Sequence, residues 1–194
     1  MRNTKPKIIM IAGCNGAGKS TLAPHLLRDA FGLKDYVNAD TIAQGLSAYA
    51  PENAAIEAGK IMLRRLRELA NRRKSFAFET TLASRFYVKF IEDLKPQGFE
   101  FHLLFLWLES SELAVLRVRE RVLAGGHDVP EKTIRRRYDR GLRNFFKLYQ
   151  PIADNWMMYN SSSADKIELI AKHRKSETKI FDKEIWQKIC KLAE

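Results

Sequence analysis

Short apolar runs alternate with longer stretches of helical period along the chain. Lys7–Ala12 is almost uniformly apolar, the pattern of a strand buried on both faces, and a helix is expected from about Lys19 to Ala30. Tyr36–Ala39 predicts a second, short strand ending at Asp40. Pro51 opens a long helix to about Arg72, in which Ala54, Ala58, Ile61, Met62, Leu66 and Leu69 follow one face. Ser75–Glu79 predicts a third strand, and Phe86–Leu94 a helix stopped by Pro96 and Gly98. Phe101–Leu108 is the strongest strand pattern, holding the longest uninterrupted apolar stretch, Leu103–Leu108, and predicts a strand at the sheet centre. Ser110 or Ser111 can cap a helix to about Ala124. Gly125–Pro130 breaks that pattern, and a second helix follows to about Tyr149. Trp156–Tyr159 and Ile167–Ala171 are late strand candidates, and Phe181–Leu192 predicts a closing helix. This alternation specifies an α/β fold with a parallel sheet and helices on both faces.

The 194 residues suit a single domain over 1–194, with 111–149 as an arginine-rich helical hairpin that forms a lid. No apolar run approaches the ~20 residues of a membrane span. Cys14 and Cys190 make no disulfide framework, which suits a reducing, cytoplasmic location. The net charge of +11 favours anionic partners. It is concentrated, because residues 117–147 hold ten basic and four acidic side chains.

The candidate chemistry starts at Gly13-Cys14-Asn15-Gly16-Ala17-Gly18-Lys19-Ser20, which fits G-x-x-x-x-G-K-[ST] at every fixed position. Glycines allow the backbone to curl its N–H groups around phosphate, and the following helix adds its positive end. Gly13, Asn15, Gly16, Ala17, Gly18, Lys19, Ser20 and Thr21 are the expected nucleotide-binding residues. Lys19 reaches the β- and γ-phosphates, and the Ser20 hydroxyl ligates Mg²⁺. The fold class is therefore that of P-loop NTPases. No N-K-x-D base-reading motif and no ABC signature occurs, which leaves a small kinase using ATP or GTP with Mg²⁺.

Asp40 ends the second predicted strand, where it can orient or deprotonate an acceptor hydroxyl. The alternative is that it only caps a helix starting at Thr41, and one residue can do both. Glu79 and Thr80, at the end of the third strand, form a polar rim that suits acceptor binding or a Mg²⁺-bound water; a plain surface glutamate is the alternative. Arg117, Arg121 and Arg136 are the candidate cations over a transferring phosphate, against the alternative of a solvated basic face. His127 at the hairpin tip can touch phosphate or pack there.

These residues together resemble the zeta-toxin family of P-loop kinases and its shorter chromosomal relatives. The resemblance covers roughly Ile8 to Ser163. Its carriers are Gly13–Ser20, Asn38-Ala39-Asp40, Phe78-Glu79-Thr80-Thr81 and Gly125-Gly126-His127-Asp128-Val129-Pro130 with its flanking arginines. It implies phosphorylation of the 3′-hydroxyl of a UDP-N-acetylamino sugar, with Asp40 as base, Glu79 binding the acceptor and lid arginines stabilising the transferred phosphoryl group. It also implies an antitoxin protein as partner. The basic stripe leaves a polynucleotide 5′-hydroxyl kinase and a non-catalytic nucleotide-binding module as alternative readings, so nucleic acid is a second candidate partner; no membrane partner is expected.

Overall fold

The computed structural model describes residues 5–25, 27, 31–163 and 166–193. Its strands are β1 (Lys7–Gly13), β2 (Tyr36–Val37), β3 (Phe76–Thr80), β4 (Glu100–Trp107), β5 (Asn155–Asn160), β6 (Glu168–Arg174) and β7 (Glu177–Ile180). The helices are α1 (Lys19–His25), α2 (Ala39–Leu46), α3 (Ala55–Asn71), α4 (Phe86–Leu94), α5 (Ser111–Leu123), α6 (Glu131–Asn144) and α7 (Lys183–Ala193). The end of the helix expected to reach Ala30 lies outside the described residues. Among the described residues no helix is long and apolar enough to cross a membrane.

The strands form one sheet in the order β2-β3-β1-β4-β5-β6-β7. The first five are mutually parallel. The sheet is mixed rather than wholly parallel, because β6 and β7 run antiparallel at its edge. A two-residue turn joins them with Lys175 and Ser176 at φ 53 and 65, the left-handed pair that matches hairpin twist.

Burial follows the period-2 alternation of β1. Ile8, Met10 and Ala12 join the main core with Met62, Leu66 and Leu69 of α3, Ile91 of α4, and Ile189 of α7. Ile9 and Ile11 face the other way, toward Ala23 and Leu27. The helical hairpin is fixed to this body. Ala114, Val115 and Val118 of α5 and Ile134 of α6 pack with Cys14, Ala17 and Leu106. Leu142, Phe145 and Tyr149 enter the main core. After Asn144 the helix continues as a π-helical turn, Phe145–Tyr149. The stretch free of this packing is the tip around Gly125–Asp128.

Candidate active site

The sheet brings the carboxyl ends of β1 and β3 together, with Ile11 opposite Glu79 and Ala12 opposite Thr80. The chain leaves β1 at Gly13, whose φ is 146 and where a Cβ would lie 2.5 Å from the Leu106 carbonyl oxygen. Gly16 is similarly confined: its φ is 80, and a Cβ would meet the Ala114 carbonyl at 2.9 Å. Both positions combine a conformation open only to glycine with a backbone neighbour that cannot yield. Gly13→Ala is therefore expected to cost about 2–4 kcal/mol, lowering the melting temperature by roughly 5–15 °C in a scanning-calorimetry comparison.

The turn between β1 and α1 is held from below. Ser161 Oγ donates to the Ala17 carbonyl at 2.8 Å. Lys19 Nζ donates to the carbonyls of Gly13 and Cys14, each at 2.9 Å, so its ammonium caps the mouth of the glycine turn. Burial lowers the Lys19 pKa, while the charges of Glu79, Cys14 and Asp40 raise it and Arg121 lowers it further. An anion bound there would restore the lysine toward its ordinary basicity. Cys14 inside the turn is the reverse case: burial pushes its thiol up to about 11. At pH 7 its thiolate fraction is then on the order of 10⁻⁴, so a maleimide should leave Cys14 unmodified in the folded protein. Peptide mapping before and after denaturation checks this.

Glu79 is buried, only 8% exposed, and its two oxygens are met by two hydroxyls. Ser20 Oγ donates to Oε2 at 3.0 Å, and the Tyr36 hydroxyl donates to Oε1. Burial, then the Glu79 hydrogen bond, pushes the Tyr36 hydroxyl well above its usual range, so it stays a donor. Among the described residues no cation lies within ion-pair distance of this carboxylate, although Lys19 feels its charge. A buried carboxylate answered only by neutral donors, beside a serine hydroxyl, is a hard oxygen set of the kind a Mg²⁺ ion takes. Thr80 turns its Oγ1 to the Leu82 amide at 3.1 Å.

Asp40 does not cap its helix. Asn38 is the N-cap: its Oδ1 accepts from the amides of Asp40 at 2.8 Å and Thr41 at 3.4 Å. The second strand accordingly ends at Val37, two residues earlier than the apolar pattern suggests, and Asp40 stands in the first turn of α2. Its exposed carboxylate is thereby left for other work. It lies near enough to Lys19, Tyr36 and Arg137 that its charge raises the pKa of all three.

The arginines divide by where they reach. Arg117 donates to the carbonyls of Ser161 and Ser162 at 2.6 and 2.8 Å, clamping the loop after β5. Arg121 donates from Nη2 to the His127 carbonyl at 2.6 Å, tying the hairpin tip to α5, while its Nε is buried without a hydrogen bond. Arg136 is exposed on α6 and makes no hydrogen bond or ion pair to the cradle. Its neighbour Arg137 does reach the cradle: its Nη1 donates to Asn15 Oδ1 at 3.2 Å. Burial lowers its pKa and the Asp40 charge raises it. One step along a helix rotates a side chain by about 100°, and Arg137 lies beside the buried Ile134–Tyr138 stripe, over the turn. Between α5, the glycine turn and the loop after β5 a cleft of about 560 Å³ is lined by Gly16, Gly18, Thr21, Arg117, Arg121 and Ser161, a size suited to a nucleoside.

A glycine turn from β1 into a helix, with a serine–carboxylate pair beneath it and an acid in the first turn of α2, is the arrangement of a P-loop kinase. Within that class the chain belongs to the zeta toxin family, whose model, described as Zeta toxin, matches residues 1–185. A protein of Haemophilus influenzae described only as uncharacterized is 30% identical over 132 residues, 68% of this chain and 92% of that one. Among solved structures, the AvrRxo1-ORF1:AvrRxo1-ORF2 complex with sulphate ions superposes with a TM-score of 0.79 at 15% identity, covering 96% of this chain and 64% of that one. The present chain thus spans under two thirds of that relative. The same complex with ATP gives a TM-score of 0.75 at 16% identity, with 96% and 64% covered. A chain of the PezAT chromosomal toxin–antitoxin system of Streptococcus pneumoniae gives 0.66 at 19% identity, covering 99% of this chain and 87% of that one.

Proposed function

We propose that the protein is a cytoplasmic ATP- and Mg²⁺-dependent phosphotransferase that moves the γ-phosphoryl group of ATP, or of GTP, to a hydroxyl of a small acceptor. The observation that carries this reading is the convergence of Lys19, Glu79, Asp40 and Arg137 around one glycine turn. In the reaction Asp40 accepts the acceptor's hydroxyl proton, and the hydroxyl oxygen attacks the γ-phosphorus. The bond from that phosphorus to the β,γ-bridging oxygen breaks, and ADP leaves. Lys19 swings from the Gly13 and Cys14 carbonyls to the β- and γ-phosphates, and Arg137, already on Asn15, offers its remaining guanidinium nitrogens to the equatorial oxygens.

The Ser20 hydroxyl and Glu79 would hold Mg²⁺, which would neutralise phosphate charge as the phosphoryl group moves. Tyr36 keeps Glu79 Oε1 occupied, so that Oε2 is the oxygen turned toward Ser20. Thr80 and His127 border the acceptor side in this reading. Arg117 acts by holding the Ser161–Ser162 loop under the turn rather than by touching phosphate, and Arg121 by tethering the tip. Arg136 carries no role in it.

The family points to a UDP-N-acetylamino sugar as acceptor and to an antitoxin as protein partner. The PezAT and AvrRxo1 relatives are named as a toxin–antitoxin system and a two-component complex, respectively, which supports the partner. Incubation with γ-labelled ATP, Mg²⁺ and a panel of UDP-sugars tests the reading. Label should appear on a UDP-N-acetylamino sugar and be absent with Lys19→Ala. No transfer to any small acceptor would refute it.

A further inference from the structure

A second hollow lies at the opposite end of the sheet from the glycine turn. Lys7 opens β1, Glu100 opens β4 and Asn155 opens β5, whereas Gly13 closes β1. Six strand steps put roughly 20 Å between the two ends. The register places Lys7 opposite Glu100, His102 opposite Asn155, and Met157 opposite Lys172, so one face of the sheet carries them all. Phe31 stands over that face, edge-on to His102 with ring centroids 5.6 Å apart. The hollow so enclosed measures about 410 Å³, within the range of small-ligand sites. A second hollow of about 390 Å³ adjoins it, sharing Lys172 and Arg174 and adding Lys175, Lys179 and one acid, Glu177, the cross-strand partner of Arg174, all of the β6–β7 hairpin.

Three features of this place are unresolved by the protein's own groups. First, Lys7, Lys172 and Arg174 line the hollow, and although the Lys7 ammonium lies 5.9 Å from the centroid of the Phe31 ring, among the described residues no carboxylate comes within ion-pair distance of any of the three. The acid present, Glu100, is engaged through Oε1 by Asn155 Nδ2 at 2.7 Å. Second, Lys172 and Lys179 are direct cross-strand partners, an arrangement of like charges that destabilises a ladder. Their ammonium groups share one aromatic ring, Phe181, at 5.3 and 5.2 Å from its centroid. Third, His102 Nε2 is buried without a hydrogen bond; it stands 3.4 Å from Glu100 Oε1, but out of line for one. Buried polar atoms left unpaired cost free energy and call for a partner. A metal is not that partner, because among the described residues no trio of His, Cys, Asp or Glu gathers to hold one.

A single ligand chemistry answers the first two, the cations without a carboxylate and the opposed lysines. We propose that this hollow binds a small phosphorylated anion, its phosphate between Lys172 and Arg174 and its body against Met157 and Phe31, with Lys7 at the far end. A ligand carrying a second phosphate would extend it toward Lys175 and Lys179, relieving the lysine pair. The site is separate from the glycine turn, and its occupancy does not depend on the reaction proposed there.

The test uses the full chain with its glycine turn saturated by a non-hydrolysable ATP analogue and Mg²⁺, titrated with fructose 1,6-bisphosphate and followed by amide chemical shifts. Signals of Lys7, His102, Met157 and Lys172 should move, while those of Gly16 and Gly18 stay put. The Lys172→Ala, Arg174→Ala double variant, both positions lying on the hairpin surface, should melt like the wild type and bind the probe at least tenfold more weakly. Equal affinity in that variant would overturn the proposal, as would shifts confined to Gly13–Ser20. A single-stranded RNA oligomer that outcompetes the sugar bisphosphate at the same amides would overturn it in favour of a polymer-binding face.

Discussion

Asp40→Asn is expected to lower phosphoryl transfer by ~10²–10⁴ while leaving ATP affinity within about twofold of wild type, the split left when a general base is lost and binding groups stay. The carboxylate is free for that task because Asn38 has taken over the helix cap. The substitution therefore removes no structural hydrogen bond, and the melting temperature should hold. Asn38→Ala makes the converse control. It removes the cap, costs about 1 kcal/mol of stability, and takes Nδ2 away from Ser20 Oγ and the Tyr36 hydroxyl, 3.5 and 3.4 Å from it, so any loss of transfer there should come with a lowered melting temperature. Steady-state kinetics beside calorimetric ATP binding separate the two. Equal losses of binding and turnover in Asp40→Asn would place Asp40 in nucleotide binding instead.

Arg137→Ala carries the second large effect, a loss of ~10³–10⁵ in kcat of the size a transition-state arginine supplies. Its Nη1 rests on Asn15 and it feels the charge of Asp40, so it stands between the glycine turn and that carboxylate. The Arg137→Lys variant should recover little, because a point charge cannot reproduce the planar fork. Arg136→Ala, one residue away and exposed, should stay close to wild-type turnover. Parallel kinetics on the alanine variants decide the matter; a larger loss for Arg136 would reverse the assignment.

The two arginines also mark where the sequence ceased to be legible. Residues with a rigid backbone requirement announced themselves. The glycine turn sits between a buried strand and a helix, and the acids Asp40 and Glu79 fall where apolar runs end. Arg136 and Arg137 differ only by the rotation of α6, and a run of three arginines beginning at Arg135 hides which one faces the body; the phase of Ile134 and Tyr138 was the available signal. Tyr36 read as a strand residue, since nothing in the sequence says that its hydroxyl meets Glu79 across the β2–β3 pair. The edge strand β7 gave no apolar signal because all four of its residues are exposed. Its turn through Lys175 and Ser176 lacks the glycine or asparagine that usually marks a left-handed pair. Likewise the hairpin looked detachable from its charge, whereas its apolar positions, from Val118 to Tyr149, are part of two cores.

The measurement closest to the central claim is a crystal structure of the protein with a non-hydrolysable ATP analogue, Mg²⁺ and a UDP-N-acetylamino sugar. The γ-phosphate should lie between Lys19 and Arg137, with the Asp40 carboxylate hydrogen-bonded to an acceptor hydroxyl in line with the γ-phosphorus. A γ-phosphate held at the glycine turn with Asp40 pointing to bulk solvent, and no hydroxyl within its reach, would contradict the account.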